Sequence, residues 1–445
     1  MASEWRQANV GEIAATARNA LVGGPFGSNL VSRDYSDVGV PVIRGQNMGG
    51  RWVRGEWAFV TEEKADSLRA NLAYPGDIVF TQRGTLGQVS MVPPDGYERY
   101  VISQSQMKLT VEPTVADPLF IYYVFSGSEH QQYIRQNAIQ TGVPHINLGI
   151  LRETPLSLPP PYQQRAIAHI LGTLDDKIEL NRRMNETLEG KARALFKSWF
   201  VDFDPVRAKM DGRWQRGESL PGLPADLYDL FPDRLVESEL GEMPEGWGLS
   251  ELGALARQKR ETAKPDEIDG GTPYIGLGHM PQRSIALGDW DIGDGVGSNK
   301  YRFARGDILF GKLRPYFHKV GVAPIGGVCS TDIVVIEPGE ANVRHFVLSW
   351  VSSDLFVAYT NAGSTGTRMP RTSWKYMAEH RRALPTDPRP LAGRFGDVVS
   401  PAVERIVSGI HEIRSLAELR DTLLPKLISG ELRLPDAEQI VEQAT

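Results

Sequence analysis

The sequence predicts an α+β chain: two similar mixed α/β domains joined by long helices that pair as an intramolecular antiparallel coiled coil. Three observations carry this prediction. The chain repeats itself at an offset near 230 residues, both halves hold β-type runs bounded by Gly and Pro, and each half ends in a long 4-3 apolar seam.

The repeat comes first. PGDIVF (75–80) matches RGDILF (305–310), with Gly76 and Gly306 offset by 230. Upstream, PVIRGQNM (41–48) resembles TPYIGLGHM (272–280), and the openings EWRQANVGEIA (4–14) and GWGLSELGALA (246–256) correspond. Downstream, QTGVPHIN (140–147) has its counterpart in STGTRMPRTS (364–373). Each half then passes through a Pro-rich hinge, LPPPY (158–162) or LPTDPRP (384–390). Each match is weak alone; their common order and near-constant offset make a duplication.

Within each half, DIVF, QMKLTVE (106–112), DILF and DIVVIE (332–337) are β-branched or alternating runs between Gly and Pro turns, and they predict strands. FIYYVFSGSEHQQYIRQNA (120–138) and HFVLSWVSSDLFVAYTNA (345–362) predict helices at matching places.

Two longer helices follow. Thr173 and Asp176 read as a capping box opening a helix from about Leu174 to Phe200, which Asp204-Pro205 stops. Ser400 before Pro401 reads as an N-cap opening a helix to about Ile428, with Pro425 expected to kink or fray its last turn and Gly430 beyond its end. Gly190 interrupts the first helix at a cost of about 1 kcal/mol relative to Ala. Leu174, Ile178, Asn181, Asn185, Leu188, Ala192, Leu195 and Trp199 follow a 4-3 spacing, as do Val403, Ile406, Ile410, Ile413, Ala417, Arg420, Leu424 and Leu427. A single seam of this kind packs either on its own domain or on a partner helix. Two seams at repeat-equivalent positions favour pairing, with Asn181, Asn185 and Arg420 setting register.

The expected organisation is a first mixed domain over 1–157, a helical spacer over 158–203 and a Pro-, Gly- and acid-rich connector over 204–245. A second mixed domain covers 246–384, a second spacer 385–432 and a tail 433–445. At about 27 residues each, the helices would span roughly 40 Å.

Composition is that of a globular protein, with 41% hydrophobic and 23% charged residues. The single cysteine, Cys329, excludes an internal disulfide framework and a cysteine-based zinc site. No apolar run reaches the length of a membrane span and the amino terminus lacks a signal-peptide layout, so no membrane partner and a cytoplasmic location are expected. The net charge of −6 hides local basic patches. Lys300, Arg302, Arg305, Lys312, Arg314 and Lys319 cluster against Asp307 alone, and Arg368, Arg371, Lys375, Arg381 and Arg382 against Glu379. DNA senses the field within about 8–10 Å, so distribution outweighs the sum.

Several fragments imitate active sites. Gly306 to Lys312 fits GxxxxGK, but Leu313 stands where Ser or Thr would hold magnesium, and the inner residues read as strand. PPPY (159–162) approaches an amino-methyltransferase motif, but Pro159 cannot bind the target amine and no Gly-rich turn for S-adenosylmethionine accompanies it. Asp175-x-Lys177 and Glu189-x-Lys191 sit on the expected coiled coil, where charge usually marks a solvated face. No catalytic or metal-binding residue is assigned.

The chain resembles the specificity subunit of type I restriction-modification systems, essentially end to end. The resemblance rests on GGPFGS (23–28), PYQQRAIAHILGTLDDKIELNRRMNETLE (161–189), ALFKSWFVDFDPVRAK (194–209), ESLPGLPADLYDLFPDRLVESELGEMPEGW (218–247) and LLPKLISGEL (423–432). It implies two target-recognition domains, each reading half of a bipartite sequence in double-stranded DNA, on a helical spacer that docks the modification subunits, two being expected. Methyl transfer and ATP-driven cleavage would belong to the modification and restriction subunits. Those partners, not this chain, would carry S-adenosylmethionine, ATP and Mg. The entry to the second helix (PTDPRPLAGRFGD) is poorer than PYQQRAIAHIL, which puts docking on that side in doubt. The seam expected for pairing and partners comprises Leu174, Ile178, Asn181, Leu188, Leu195, Trp199, Val403, Ile406, Ile410, Ile413 and Leu424.

Reading a sequence needs Arg or Lys for guanine and Asn or Gln for adenine. In the first half the candidates are Gln46, Asn47, Gln82, Arg83, His145 and Asn147. In the second they are His279, Lys312, Arg314, Tyr316, His318, Arg368 and Arg371. Taken singly, each also reads as a surface polar group or a phosphate contact; the cluster beside the repeat-equivalent turns carries the reading. Two rival readings are a self-contained methyltransferase or nuclease, and a coiled-coil scaffold that does not touch DNA.

Overall fold

The computed structural model describes residues 5–238 and 241–444. The first four residues, on which part of the amino-terminal reading rests, lie outside the described residues. The chain forms two units, Met1–Ile178 with Leu416–Thr445 and Glu179–Ser415, each built on mixed sheets and helices.

In the first unit a four-stranded antiparallel sheet runs in the order Leu21–Gly23, Gln106–Leu109, Ile78–Thr81, Val89–Met91. A five-stranded sheet runs Tyr35–Ser36, Ala58–Val60, Val40–Ile43, Tyr100–Ile102, Leu72–Ala73, and in it Val40–Ile43 pairs parallel with Tyr100–Ile102. The second unit repeats the design. Its four-stranded sheet runs Ala256–Lys259, Ile333–Pro338, Ile308–Gly311, Val320–Val322, and its five-stranded sheet again holds one parallel pair, Pro273–Ile275 with Gly327–Cys329. The central strands are buried on both faces, which explains why DIVF and DILF read as continuous apolar runs without alternation. Phe80 meets Phe125 edge-on at 4.8 Å, and Phe310 meets Phe356 at 5.8 Å. Cys329 is a buried core thiol whose ionisation burial pushes up to about 12.

The two mid-domain helices are each broken in two. Pro118–Ser126 and Ser128–Gln136 meet at Gly127, whose extended backbone ends the first helix. Arg344–Val351 and Asp354–Ala362 meet at Ser352 and Ser353, where the Ser353 side chain accepts from the Phe356 amide and starts a new helix. An extended glycine in one half and a capping serine in the other break the helical pattern at matching places.

Both long helices exceed their expected lengths. They span Pro161–Phe200 and Arg389–Ile428, 40 residues each. The first starts at Pro161, where a missing amide is harmless, and Thr173 is interior, its hydroxyl donating to the His169 carbonyl. Gly190 does not break it. The second runs through Ser400, Pro401 and Pro425 without stopping. Burial of Leu391, Phe395 and Val399 on one side of Pro401, and Val403 and Ile406 on the other, outweighs the hydrogen bond a helical proline forfeits. Gly430, at a φ of 72°, closes the end as expected.

Within each unit the two helices run antiparallel. In the first, Ile167 and Leu427 line one cavity while Arg420 reaches Asp175 at 2.7 Å. In the second, Asn185 lies against Gly409, and Phe196 and Trp199 pack on Phe395. Leu174, Ile178, Asn181, Trp199, Val403, Ile406, Ile410 and Leu424 are buried; Leu188, Leu195 and Ile413 are half-buried. Glu189 and Phe196, one position on from Leu188 and Leu195, take the buried places. A helix of 3.6 residues per turn drifts about 20° per heptad from a strict 4-3 seam, and here it has walked off by one residue.

Residues 204–238 and 241–245 do more than connect. Phe203, at a φ of 55°, turns the chain sharply into helix Asp204–Met210. Val206, Ala208, Trp214, Leu227 and Phe231 then bury themselves in the same core as Trp199.

Candidate nucleic-acid interface

In both units the interface grows from one tight turn. Gly76 and Gly306 adopt φ values of 89° and 87°, open to glycine and strained for other residues. The next residue, Asp77 or Asp307, accepts from the amide three positions back, at 2.9 and 2.8 Å. The turn launches the central strand, whose far end is held by matching backbone bonds. Gln82 and Lys312 donate amides to Ser105 and Asp332, and their carbonyls accept from Ile146 and Thr372, at 3.0 Å in both units. Arg83 bridges His145, and Leu313 bridges Arg371. The duplication therefore brings the strand end and the polar Gly loop together in both halves.

In the first unit this gathers Gln82, Arg83, His145 and Asn147. Arg83 is exposed; the Asn147 side chain caps helix Leu148–Arg152 by accepting from Ile150, and His145 contacts the Val143 carbonyl. Gln46 is exposed and donates to the Glu56 carbonyl at 3.2 Å. Asn47 differs: it is fully buried, accepts from the Arg44 amide, and donates to the Arg54 and Glu56 carbonyls. Its carboxamide is consumed by the loop it braces and has nothing left to offer a base. Asn47→Ala should destabilise the first unit by about 2–3 kcal/mol through stranded carbonyls, as urea denaturation would measure. An unchanged midpoint would return Asn47 to the interface.

In the second unit Lys312, Arg314, Arg368 and Arg371 come together. The Arg314 amide bonds the Pro370 carbonyl, its Nη2 lies 3.4 Å from the Arg368 carbonyl, and its Nε is enclosed without an acceptor. Arg368 is exposed, and Arg371 contacts Asp332 at 3.2 Å. Tyr316 projects at 49% exposure. His318 is buried instead, bonded to the Ser352 carbonyl at 2.8 Å, and burial lowers its pKa, so it holds the loop from beneath. His279 accepts from the Gly276 amide and faces Asp291 at 3.2 Å, which occupies both ring nitrogens.

The basic patches thin out in three dimensions. Lys300 is buried against Ser298. Arg382 is buried between Phe196 and Trp350, bonds the Phe200 carbonyl, and is pulled down to about 10 by burial. What remains exposed near the loops is Arg83 in one unit, and Arg368, Arg371 and Lys375 in the other. The linear sequence gave no sign of Arg135, whose guanidinium lies against Gly87 in the loop after Arg83, because only folding brings that helix over the loop.

The imitation sites resolve structurally. Ile308–Gly311 is a buried strand, not a phosphate-cradling loop. Asp175 and Glu189 are not on a solvated face: both are buried, Asp175 between Tyr123 and Arg420, and Glu189 between Ser284 and Arg193. Among the described residues no group of three or more His, Cys, Asp or Glu is placed to hold a metal ion, and no helix is long and apolar enough to cross a membrane.

Residues 26–190 match the family model for the type I restriction modification DNA specificity domain. The chain is 27% identical to the type I restriction enzyme HindI specificity subunit of Haemophilus influenzae, over 97% of this chain and 100% of that one. It is 24% identical to the MjaIX specificity subunit of Methanocaldococcus jannaschii, over 86% and 83%. In fold it is similar to the type I restriction-modification S subunit from M. genitalium, with a TM-score of 0.54 and 18% identity over 95% of this chain and 96% of that one. With duplicated mixed domains and paired long helices already described, the chain is similar along nearly its whole length to type I restriction-modification specificity subunits.

Proposed function

We propose that this subunit reads a bipartite target in double-stranded DNA, one half through each unit, and directs the chemistry of partner subunits. The observation that carries this is the duplicated strand-end and loop pairing, which offers Gln82, Arg83, His145 and Asn147 in one unit and Lys312, Arg314, Arg368 and Arg371 in the other. These side chains match the demands of base and phosphate recognition. Gln46 and Tyr316 flank the same loops as secondary contacts.

The subunit itself is non-catalytic in this reading. Modification subunits, two of them, and restriction subunits supply methyl transfer and cleavage with S-adenosylmethionine, ATP and Mg. The complex works in the cytoplasm, where it meets DNA. Grafting residues 246–384 from a relative should change one half of the methylated motif and leave the other intact, as methylation sequencing of the host genome would show. A change in both halves defeats the two-reader reading. S-adenosylmethionine binding or DNA cleavage by the chain alone would favour the enzyme reading instead, and the absence of a gel shift with partners present would favour a scaffold.

A further inference from the structure

The most exposed large apolar side chain among the described residues, Phe26 at 85%, lies on the loop that follows strand Leu21–Gly23. Scattered exposed apolar residues are ordinary, but this one is held by a loop with little freedom. A Cβ on Gly24 would sit 1.9 Å from the Ser103 carbonyl oxygen, so only glycine allows that approach. The Gly24 amide donates to Gln106, the Gln104 side chain donates to the Gly27 and Leu30 carbonyls, and the Asn71 side chain donates to Gly23. The Phe26 carbonyl accepts from Asn29.

The loop also adjoins the candidate interface. Residues 103–106, which anchor it, accept the amides of Gln82 and Arg83 at the Ser105 carbonyl, and the Gln82 side chain abuts Gly23. Phe26 thus stands exposed on a braced loop whose anchoring segment, 103–106, also accepts the amide of the exposed Arg83. The second unit places Lys259 and Arg260 where the first has Val22 and Gly23, and Ala263 three residues on is buried, so this device belongs to one half only.

We infer that Phe26 is an apolar wedge that stacks on a base step of the half-site read by the first unit, an inference that rests on the DNA-reading proposal above. Its free energy comes from covering an aromatic face otherwise left in water and from replacing the stacking lost when a step opens. It adds recognition through deformability, which the polar residues beside it do not supply.

The test uses the assembled complex with its partner subunits and duplexes carrying the motif found by methylation sequencing. 2-Aminopurine is placed in turn at each position of the first half-site other than the methylated adenine. Wild type should unstack one step, Phe26→Ala should lose that fluorescence and slow methylation by about tenfold, and Phe26→Trp should restore both. Equal rates and fluorescence for Phe26→Ala overturn the wedge. Slower methylation with the fluorescence intact also overturns it, leaving Phe26 a mere surface contact. A wild-type complex that methylates no bipartite motif overturns the DNA-reading proposal itself, and the wedge falls with it.

Discussion

Arg420→Ala should lower the stability of the first unit by about 3–4 kcal/mol, the range for a buried ion pair that loses one partner. Asp175 is 8% exposed and accepts from the Tyr123 hydroxyl at 2.7 Å and from Arg420 at 2.7 Å. Removing the guanidinium leaves the carboxylate inside the helix pair, still bonded to the Tyr123 phenol but without its ion-pair partner. The companion change Asp175→Asn removes the charge, so the double variant should recover most of the loss. Urea denaturation of the four proteins of that cycle measures the coupling. Additive losses would mean that solvent already screens the pair, as the 28% exposure of the Arg420 side chain permits, and that the pair contributes little to register.

Arg314→Gly should separate stability from recognition. Arg314 and His318 hold left-handed φ values of 51° and 53°, where the first unit has Gly84 at 104° and Gly87 at 92°. A side chain in that region costs roughly 1–2 kcal/mol, and the duplicated fold shows that glycine serves there. A non-glycine residue kept in that strained position motivates a functional role for the Arg314 side chain. The glycine variant should therefore be as stable as wild type or more so, while target affinity in the assembled complex falls by about 1–3 kcal/mol. Binding measured across salt concentrations distinguishes the two roles: loss of sequence preference marks a base contact, and a shallower salt slope with preference intact marks a phosphate contact. A destabilised variant with unchanged affinity would make Arg314 a structural residue.

The candidate interface was partly legible before folding. The turn glycines, the acidic residue after them and the offset of the duplicated motifs located the repeat-equivalent strand ends and loops, because backbone demands at a tight turn restrict which residues can stand there. Exposure was not legible. Asn47 and His318 are as polar as Gln46 and Tyr316, yet the first pair turns inward to satisfy carbonyls and the second pair turns out. Local pattern does not separate them: Asn47 accepts from Arg44 three residues back, but the carbonyls that take its amide nitrogen lie seven and nine residues away, and the carbonyl that His318 meets lies 34 away. Phe26 shows the reverse, an apolar residue that a glycine-tight loop holds in water.

By itself the sequence determined the duplication, the α+β class, the paired long helices and their polar register residues, because these depend on periodicity and on the short-range rules of glycine and proline. Tertiary structure decided where the helices begin, that Pro401 lies within one, which face forms the seam, and that Asp175, Glu189, Lys300 and Arg382 are inside. Those outcomes turn on burial and on long-range partners. Apolar packing on both sides of a proline offsets a lost hydrogen bond, and a guanidinium or carboxylate enters a core only where another segment brings a matching group to meet it.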